Sequence, residues 1–396
     1  MSKRRDLDVV VYGATGFTGQ LVAEYLASRY GTDSTIRWAL AGRNRSKLEQ
    51  VRETCGAPPE TELLVADADE PATLRAMAQR AKVVLTTVGP YQLYGEPLIA
   101  ACASEGTDYV DLCGEPLFMA KVIETYSDTA RASGARIVFS CGFDSIPFDL
   151  GVLFLQNAAR ARFGAPMPRV KGRVRKMVGT FSGGTAASLK ATMAALGRDP
   201  SLLQRMIDPF ALTPGFSGPP QPPGNKPLQD PSVDAWVAPF IMAAINTKNV
   251  HRSNFLLDHA YGKDFVYDEM LVVGSGDEGA AAAQAISKHN PLAGDKAPKP
   301  GEGPSRAERE AGSYDVLFIG EHPNGHTLRA VVTGDMDPGY GSTSKMIAES
   351  ALCLVQDHPA GATGKGGIYT PAPLFGETLV ERLVERAGLT FDIVER

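Results

Sequence analysis

Three glycines near the start of the chain, spaced GxxGxxG rather than GxGxxG, indicate a turn that binds a nucleotide. In the stretch DVVVYGATGFTGQLVAEYL they follow an apolar run and precede a pattern with helical spacing. Such a turn lets the backbone approach a pyrophosphate, and the helix that follows offers free N–H groups and the positive end of its dipole to the anion. The stretch predicts a dinucleotide site, with a glycine-rich turn in an unrelated α/β protein as the alternative. The residues assigned to this site are Gly13, Thr15, Gly16, Phe17, Thr18 and Gly19.

The end of the second apolar run indicates which dinucleotide binds. An Asp or Glu at this place is typical of NAD sites, because it accepts from the ribose hydroxyls, whereas NADP sites carry a cation for the 2′-phosphate. The sequence here is WALAGRNRSKL, which offers Arg43 and Ser46 and no carboxylate. We therefore predict NADP, with an ordinary solvated surface as the alternative interpretation of Arg45 and Lys47. Asp67, which closes the third apolar run, either accepts from the adenine amino group or caps the next helix.

Three further loops follow apolar runs at the places where a parallel sheet binds its ligands. They are VGPYQLYG, LCGE and SCGFDSIPFDLG, at 88–95, 112–115 and 140–151. Ligands in such sheets lie beyond the carboxyl ends of the strands. In the first loop glycine lets the backbone approach a flat ring and proline fixes φ, so we place the nicotinamide there. The residues assigned to it are Val88, Gly89, Pro90 and Tyr91.

Reduction of a double bond by hydride also needs a proton donor, and three side chains in these loops are candidates. They are Tyr91, Asp144 and Ser145, although Asp144 has the alternative role of anchoring its own loop. The tyrosine and lysine pair of short-chain dehydrogenases is absent, since no tyrosine is followed by lysine four residues later. No group of Cys and His has the spacing of zinc ligands, so we predict no metal site.

Alternating apolar runs and helical patterns must position these loops. In residues 1–150 the alternation predicts a Rossmann domain of the α/β class, with a doubly wound parallel sheet. Residues 151–340 change character and predict a second, α+β domain on a mixed or antiparallel sheet, and residues 341–396 return to helical patterns. Two stretches rich in proline and glycine, near 214–231 and 290–310, are predicted to be exposed loops. The predicted strands of the first sheet are 9–12, 36–41, 63–66, 83–88, 109–112 and 136–140.

A row of cations in the second domain is the clearest candidate for an anion-binding wall. Arg169, Lys171, Arg173 and Arg175 alternate along a predicted strand and therefore share one face of it. They suit a carboxylate or the phosphate of a coenzyme A or carrier-protein arm. A solvated sheet face is the alternative interpretation.

Composition and charge exclude several classes of protein. The net charge of −5 gives no electrostatic reason to expect a nucleic-acid partner, and five cysteines without a CxxC pair are typical of a reducing compartment. The most apolar segment, AWVAPFIMAAI from Ala235, is shorter than a membrane span. We therefore expect a cytoplasmic protein, and peripheral contact with a membrane through this segment stays open.

Several of these stretches together resemble a known family. GATGFTG, AGRNRSKL, VGPYQLYGEPLIAACASEGTDYVDLCGE and CGFDSIPFDLG, with SNFLLDHAYGKDF, GYGSTSKM and GGIYTPAPLFGETLVERL, resemble the saccharopine dehydrogenase-like oxidoreductases. The likeness is strongest to the branch of trans-acting enoyl reductases. The resemblance implies an NADP-binding Rossmann domain, a second α/β domain, and C-terminal helices that fold back on the first domain. It also implies that the three glycines bind pyrophosphate, Arg43 the adenosine phosphate, and Val88 to Tyr91 the nicotinamide side.

The expected activity is reduction with NADPH of a C=C, C=O or C=N bond. The substrate is expected to be lipid-like or linked through a thioester, either as a small molecule or on an acyl carrier, in lipid or glycolipid biosynthesis. Two alternatives remain: a dehydrogenase of amino-acid conjugates, and a non-catalytic protein that senses NADP or interacts with a partner. A homodimer through the second sheet is expected from fold analogy.

Overall fold

Uninterrupted runs of Val, Leu and Ala form the strands of the first sheet because helices cover both of its faces. The computed structural model describes residues 5–31, 33, 35–179, 183–288, 302–360 and 365–395. All neighbouring strands of this sheet are parallel, in the order β13-β6-β5-β4-β1-β2-β3. They are β1 (Leu7–Tyr12), β2 (Trp38–Gly42), β3 (Glu62–Val65), β4 (Ala81–Thr86), β5 (Asp108–Val110), β6 (Arg136–Val138) and β13 (Gly367–Tyr369). The Rossmann fold and its six predicted strands are thereby confirmed, with β13 as a seventh.

Six helices connect the strands of the first sheet. Two of them, α5 and α6, end in a glycine with left-handed backbone, which stops each helix just before the next strand. The helices are α1 (Phe17–Tyr30), α2 (Arg45–Thr54), α3 (Pro71–Arg80), α4 (Tyr91–Tyr94), α5 (Glu96–Glu105) and α6 (Pro116–Ser133). Their N-termini and the carboxyl ends of the strands lie at one edge of the sheet, which is the edge that carries the predicted site.

The second sheet is mixed, in the order β14-β12-β11-β7-β10-β9-β8. Only β7 and β10 are parallel neighbours, and the predicted hairpin forms β11 and β12. The predicted exposed loop at 214–231 ends in a short edge strand, and most of the predicted loop at 290–310 lies outside the described residues. The strands are β7 (Arg169–Val178), β8 (Leu228–Asp230), β9 (Ala235–Pro239), β10 (Val266–Gly274), β11 (Ser313–Glu321), β12 (Thr327–Gly334) and β14 (Leu389–Val394).

The helices of the second half join the two sheets. The long helix α7 packs against α10, α14 and the strands β11 and β12. The apolar segment that begins at Ala235 forms β9 and the start of α10, and no described helix combines the length and the apolar content needed to cross a membrane. These helices are α7 (Ile146–Phe163), α8 (Gly183–Arg198), α9 (Leu202–Ile207), α10 (Ala243–Leu256), α11 (Gly276–Lys288), α12 (Arg306–Ala311), α13 (Thr343–Gln356) and α14 (Pro371–Arg386), with a π-helical turn at Pro338–Ser342.

The C-terminal segment contributes to both sheets. Helix α13 packs on α1, β4 and β5, while β13 extends the first sheet beside β6 and β14 extends the second beside β12. A buried carboxylate fixes this arrangement, since Glu349 accepts from the hydroxyls of Tyr25 at 2.6 Å and Tyr30 at 2.7 Å and pairs with Arg382. The segment is therefore not purely helical, because it also supplies one strand to each sheet.

Candidate functional site

The glycine turn has the geometry that a pyrophosphate needs. Gly13 has φ of +89°, and its carbonyl accepts the N–H of Gly16 at 2.9 Å. A Cβ added at Gly19 would lie 2.1 Å from the Gly13 oxygen, so only glycine lets α1 approach the turn this closely. Helix α1 begins at Phe17 without a side-chain cap, which leaves its first N–H groups available to an anion. The turn therefore fits the diphosphate of a dinucleotide.

Three other residues predicted for the dinucleotide site, Thr15, Phe17 and Thr18, make different contacts around the glycine turn. Thr18 lines the cleft described below, and Thr15 uses its backbone carbonyl to accept from Gln20 at 3.1 Å. The ring of Phe17 packs edge-on against Tyr340 at 4.8 Å, so at the start of α1 Phe17 has only its backbone N–H available to an anion.

Replacement of Gly19 by alanine is expected to lower the free energy of unfolding by about 1–3 kcal/mol and to weaken NADPH binding, because the new methyl group must displace backbone atoms of the turn. Chemical denaturation and calorimetric titration with NADPH measure the two effects. The matched control is Gly197→Ala, where a Cβ has open space around it and alanine suits the helix better. Equal stability of the two variants would contradict the close approach at Gly19.

Arg43 is placed to meet a phosphate at the end of β2. Its side chain is exposed and forms no ion pair or hydrogen bond with any residue that the structure describes. Arg45, by contrast, pairs with Glu49 at 3.1 Å and donates to the carbonyl of Leu63 at 2.9 Å. Ser46 is exposed in the first turn of α2. Arg43 thus has a side chain free to meet the 2′-phosphate of NADP, and this contact stays a prediction.

Asp67 anchors its own turn. One carboxylate oxygen accepts the N–H of Asp69 at 3.1 Å, while the backbone N–H of Asp67 donates to the Thr73 hydroxyl at 3.0 Å. The N-cap of α3 is Glu70, so Asp67 does not cap that helix directly. Contact with an adenine amino group stays a prediction.

The loop predicted to face the nicotinamide adjoins the glycine turn. The hydroxyl of Thr87 donates to the Gly13 carbonyl at 3.3 Å, and a Cβ at Gly13 would lie 2.7 Å from a Val88 methyl carbon. Gly89 lines the cleft, and Pro90 precedes the short helix α4. The pyrophosphate turn and this loop are thus continuous, as one extended dinucleotide requires.

Tyr91 lies in this loop, but its hydroxyl faces the protein. It donates to the carbonyl of Thr86 at 3.3 Å and accepts the N–H of Leu112 at 3.0 Å. Burial raises the pKa of the Tyr91 phenol well above its usual value. The ring of Tyr91 thus lines the cleft while its hydroxyl contacts the backbone, and a role as proton donor stays a prediction that this contact does not favour.

Asp144 is the free acid of the site. It lines the cleft beyond β6, and its oxygen Oδ1 is buried with no hydrogen-bond partner among the described residues. Burial raises the pKa of Asp144 to about 7, because no cation offsets the loss of solvent around the charged form. The alternative of a loop anchor predicts a hydrogen bond that Oδ1 lacks. A carboxyl in this state can hold a proton near neutral pH and release it.

Ser145 lies behind Asp144 and does not line the cleft. Its side chain is fully buried, and its hydroxyl accepts from the amide of Asn249 in α10 at 2.8 Å. The prediction of Ser145 as a catalytic residue is therefore corrected, since its position makes it a support for the loop that carries Asp144.

One cleft between the two domains is lined by the loops that carry Gly89, Tyr91 and Asp144. It has a volume of about 290 Å³ and begins at the carboxyl ends of the first sheet, with Thr18, Thr87 and Asp144 in its wall. Its opposite wall comes from the second domain and is mostly apolar. The apolar side chains of that wall are Met177, Met206, Ile241, Met242 and Ile245. The arrangement suits a substrate with a polar reacting end and an apolar remainder.

The row of cations on β7 does not line this cleft. Each member pairs instead with a carboxylate: Arg169 and Arg173 with Asp268, Lys171 with Glu321, and Arg175 with Asp315. The anion-binding wall proposed from their alternation is therefore wrong, because neighbouring strands supply the counter-charges.

Sequence reasoning missed Glu115, which is buried at the cleft. Its carboxylate accepts the N–H groups of Tyr91 and Gln92, each at 2.8 Å, and the hydroxyl of Ser188 at 2.7 Å. The signal was its place in the LCGE loop, directly after a parallel strand.

Comparison with known proteins supports an NADP-binding domain and shows the family of the chain. Residues 9–138 match the saccharopine dehydrogenase NADP-binding domain. A Mycobacterium tuberculosis protein, provisionally named a trans-acting enoyl reductase, is 43% identical over 96% of both chains. A trans-acting enoyl reductase from Mycobacterium ulcerans is 37% identical over 96% of both chains. A saccharopine dehydrogenase (L-Glu forming) from Saccharomyces cerevisiae shares the fold, with a TM-score of 0.55, 10% identity and coverage of 98% of this chain and 100% of the other.

Proposed function

We propose that this chain, which belongs to the saccharopine dehydrogenase-like family and to its branch of trans-acting enoyl reductases, reduces the conjugated C=C bond of an apolar acyl thioester. Membership makes it an NADP-dependent oxidoreductase. Three features go beyond membership of the family and are proposed here: the C=C bond that is reduced, the apolar acyl chain of the substrate, and Asp144 as the proton donor. The observation that carries it is the unpartnered carboxyl of Asp144 in a cleft whose opposite wall is apolar.

Reduction of the C=C bond needs one hydride and one proton, which NADPH and Asp144 can supply. Bound NADPH supplies a hydride to the carbon β to the thioester carbonyl. Asp144, protonated, gives its proton to the α carbon, and the C=C bond becomes a single bond while the thioester is kept. The glycine turn and Arg43 hold the dinucleotide, and the methionines and isoleucines of the opposite wall hold the acyl chain and exclude water.

A dehydrogenase of amino-acid conjugates is less well supported. Such a substrate carries several carboxylates, and the cations of β7 that suit them are already paired within the second sheet. A protein that only senses NADP differs from both enzymes because it binds the nucleotide without consuming it. Turnover separates these alternatives.

The test offers purified protein NADPH with trans-2-enoyl thioesters of increasing chain length, as coenzyme A and as N-acetylcysteamine esters. We expect loss of NADPH absorbance with formation of the saturated thioester, and a KM that falls about fourfold with each added methylene, at about 0.8 kcal/mol per buried CH₂. A preference for the coenzyme A form favours a carrier-linked substrate. Turnover of 2-oxo acids with amino acids, and none of enoyl thioesters, would reject the proposal.

A further inference from the structure

The helices α8 and α9 form an arm of the second domain that covers the cleft. The arm leaves the sheet after β7, and three of its side chains, Ser188, Thr192 and Met206, line the cleft. Its packing partners are α4 and α6 of the first domain. The arm therefore bridges the two domains on the side where substrate lies.

Among the described side chains, two hydrogen bonds join the arm to the first domain inside the cleft. The hydroxyl of Ser188 donates to Oε1 of Glu115 at 2.7 Å, and the amide of Gln92 donates to the hydroxyl of Thr192 at 3.1 Å. A third contact, the ion pair of Arg205 with Glu124, lies at the exposed edge of the arm. The bond from Ser188 reaches Glu115, which also holds the nicotinamide loop, and the bond with Thr192 reaches Gln92 of that loop.

Glu115 is the point where the arm and the nicotinamide loop meet. The oxygen that accepts from Ser188 also accepts the N–H of Tyr91, and the second oxygen accepts the N–H of Gln92. The residue is 3% exposed, and no described Lys or Arg pairs with it. Three described donors therefore satisfy this buried carboxyl group, so loss of the Ser188 hydroxyl leaves Oε1 with one donor in place of two.

We propose that Glu115 is a positioning residue that couples closure of the arm to the placement of the nicotinamide loop. When the arm is closed, the hydroxyl of Ser188 completes the donor set of Glu115, and the loop from Val88 to Tyr91 is held against the cofactor. When the arm opens to admit substrate, Glu115 loses this donor and the loop relaxes. The inference rests on the proposed function for the position of the nicotinamide.

The sharpest variant is Ser188→Ala, which removes one of the two bonds across the cleft and leaves Glu115 its two backbone donors. We expect kcat to fall about tenfold, the effect of one hydrogen bond to a charged group, while the Kd for NADPH stays within about twofold. Hydrogen exchange is expected to show that NADPH slows exchange in residues 88–95 and 183–207 of the wild type and does so less in the variant, because coupling between two sites is reciprocal.

The matched control is Glu124→Gln, which breaks the exposed ion pair of the same arm and touches neither the loop nor the cleft. It is expected to behave like the wild type. Wild-type kcat and equal slowing of exchange in Ser188→Ala would overturn the coupling. If the wild type turns over no enoyl thioester, the proposed function fails, and the exchange measurement, which needs only NADPH, still decides between coupling and its absence.

Discussion

Replacement of Asp144 by asparagine is expected to slow reduction of the substrate by about 100-fold to 10,000-fold, the range that a positioned general acid contributes. Asparagine keeps the shape of the side chain but cannot supply the proton. Binding of NADPH should change little, because Asp144 follows β6, whereas the glycine turn and Arg43 follow β1 and β2, which β5 and β4 separate from β6 in the sheet. Single-turnover reduction of an enoyl thioester with pre-bound NADPH measures the chemical step.

The pH dependence identifies the acid more sharply than the rate alone. Asp144 must be protonated to act, and burial raises its pKa to about 7. The wild-type rate is therefore expected to be highest below this pKa and to fall as pH rises through it, and this fall should be absent in the asparagine variant.

The matched control is Asp149→Asn. Asp149 is fully buried outside the cleft, burial raises its pKa to about 7 as well, and its carboxylate accepts the N–H of Ala372 at 2.8 Å. This variant is expected to alter stability and to keep the wild-type pH profile. The assignment of Asp144 fails if the two variants lose rate equally, or if the fall in rate persists without Asp144.

Most strands of the first sheet could be predicted because each has a local sequence pattern that is recognisable by itself. Parallel strands buried on both faces are continuous apolar runs, and the runs at 9–12 and 83–88 need no knowledge of distant residues. The strand β13 has three residues and pairs with β6, more than two hundred residues earlier in the chain. Nothing in a segment of three residues specifies so distant a partner, so this strand was missed.

The candidate site was predicted as far as topology determines it. The rule for carboxyl ends of parallel strands selected the loops of Tyr91, Glu115 and Asp144, and the structure brings all three to one cleft. The rule does not say which way a side chain points, and the hydroxyls of Tyr91 and Ser145, both predicted as proton donors, contact protein groups in the structure.

The cations of β7 show a second limit of sequence reasoning. Alternation correctly predicted a shared face, as the pairing of β7 with β10 and β11 shows. The carboxylates that neutralise that face, among them Asp268 and Asp315, come from strands 95 to 140 residues away in the chain. Only the register of the sheet reveals them, so a face that is neutral in the fold looked cationic in the sequence.

Replacement of Arg43 by aspartate is expected to weaken NADPH binding on the order of a hundredfold and to leave NADH binding nearly unchanged, since only NADPH carries the 2′-phosphate that a cation at this place meets. Arg43 is exposed and unpaired among the described residues, so its replacement breaks no ion pair and should not disturb the fold. Calorimetric titration of wild type and variant with each nucleotide gives the ratio of the two affinities.

Lys47→Asp makes the same change of charge four residues later on α2, where the side chain is also exposed. If Arg43 acts only through long-range electrostatics, the two variants should lose about the same affinity for NADPH, and salt should reduce the two losses equally. A specific contact instead makes the loss much larger for Arg43. If Arg43→Asp lowers the affinity for NADH as much as for NADPH, the damage lies in the shared dinucleotide site, and the basis of NADP preference must be sought in another residue of the loop after β2.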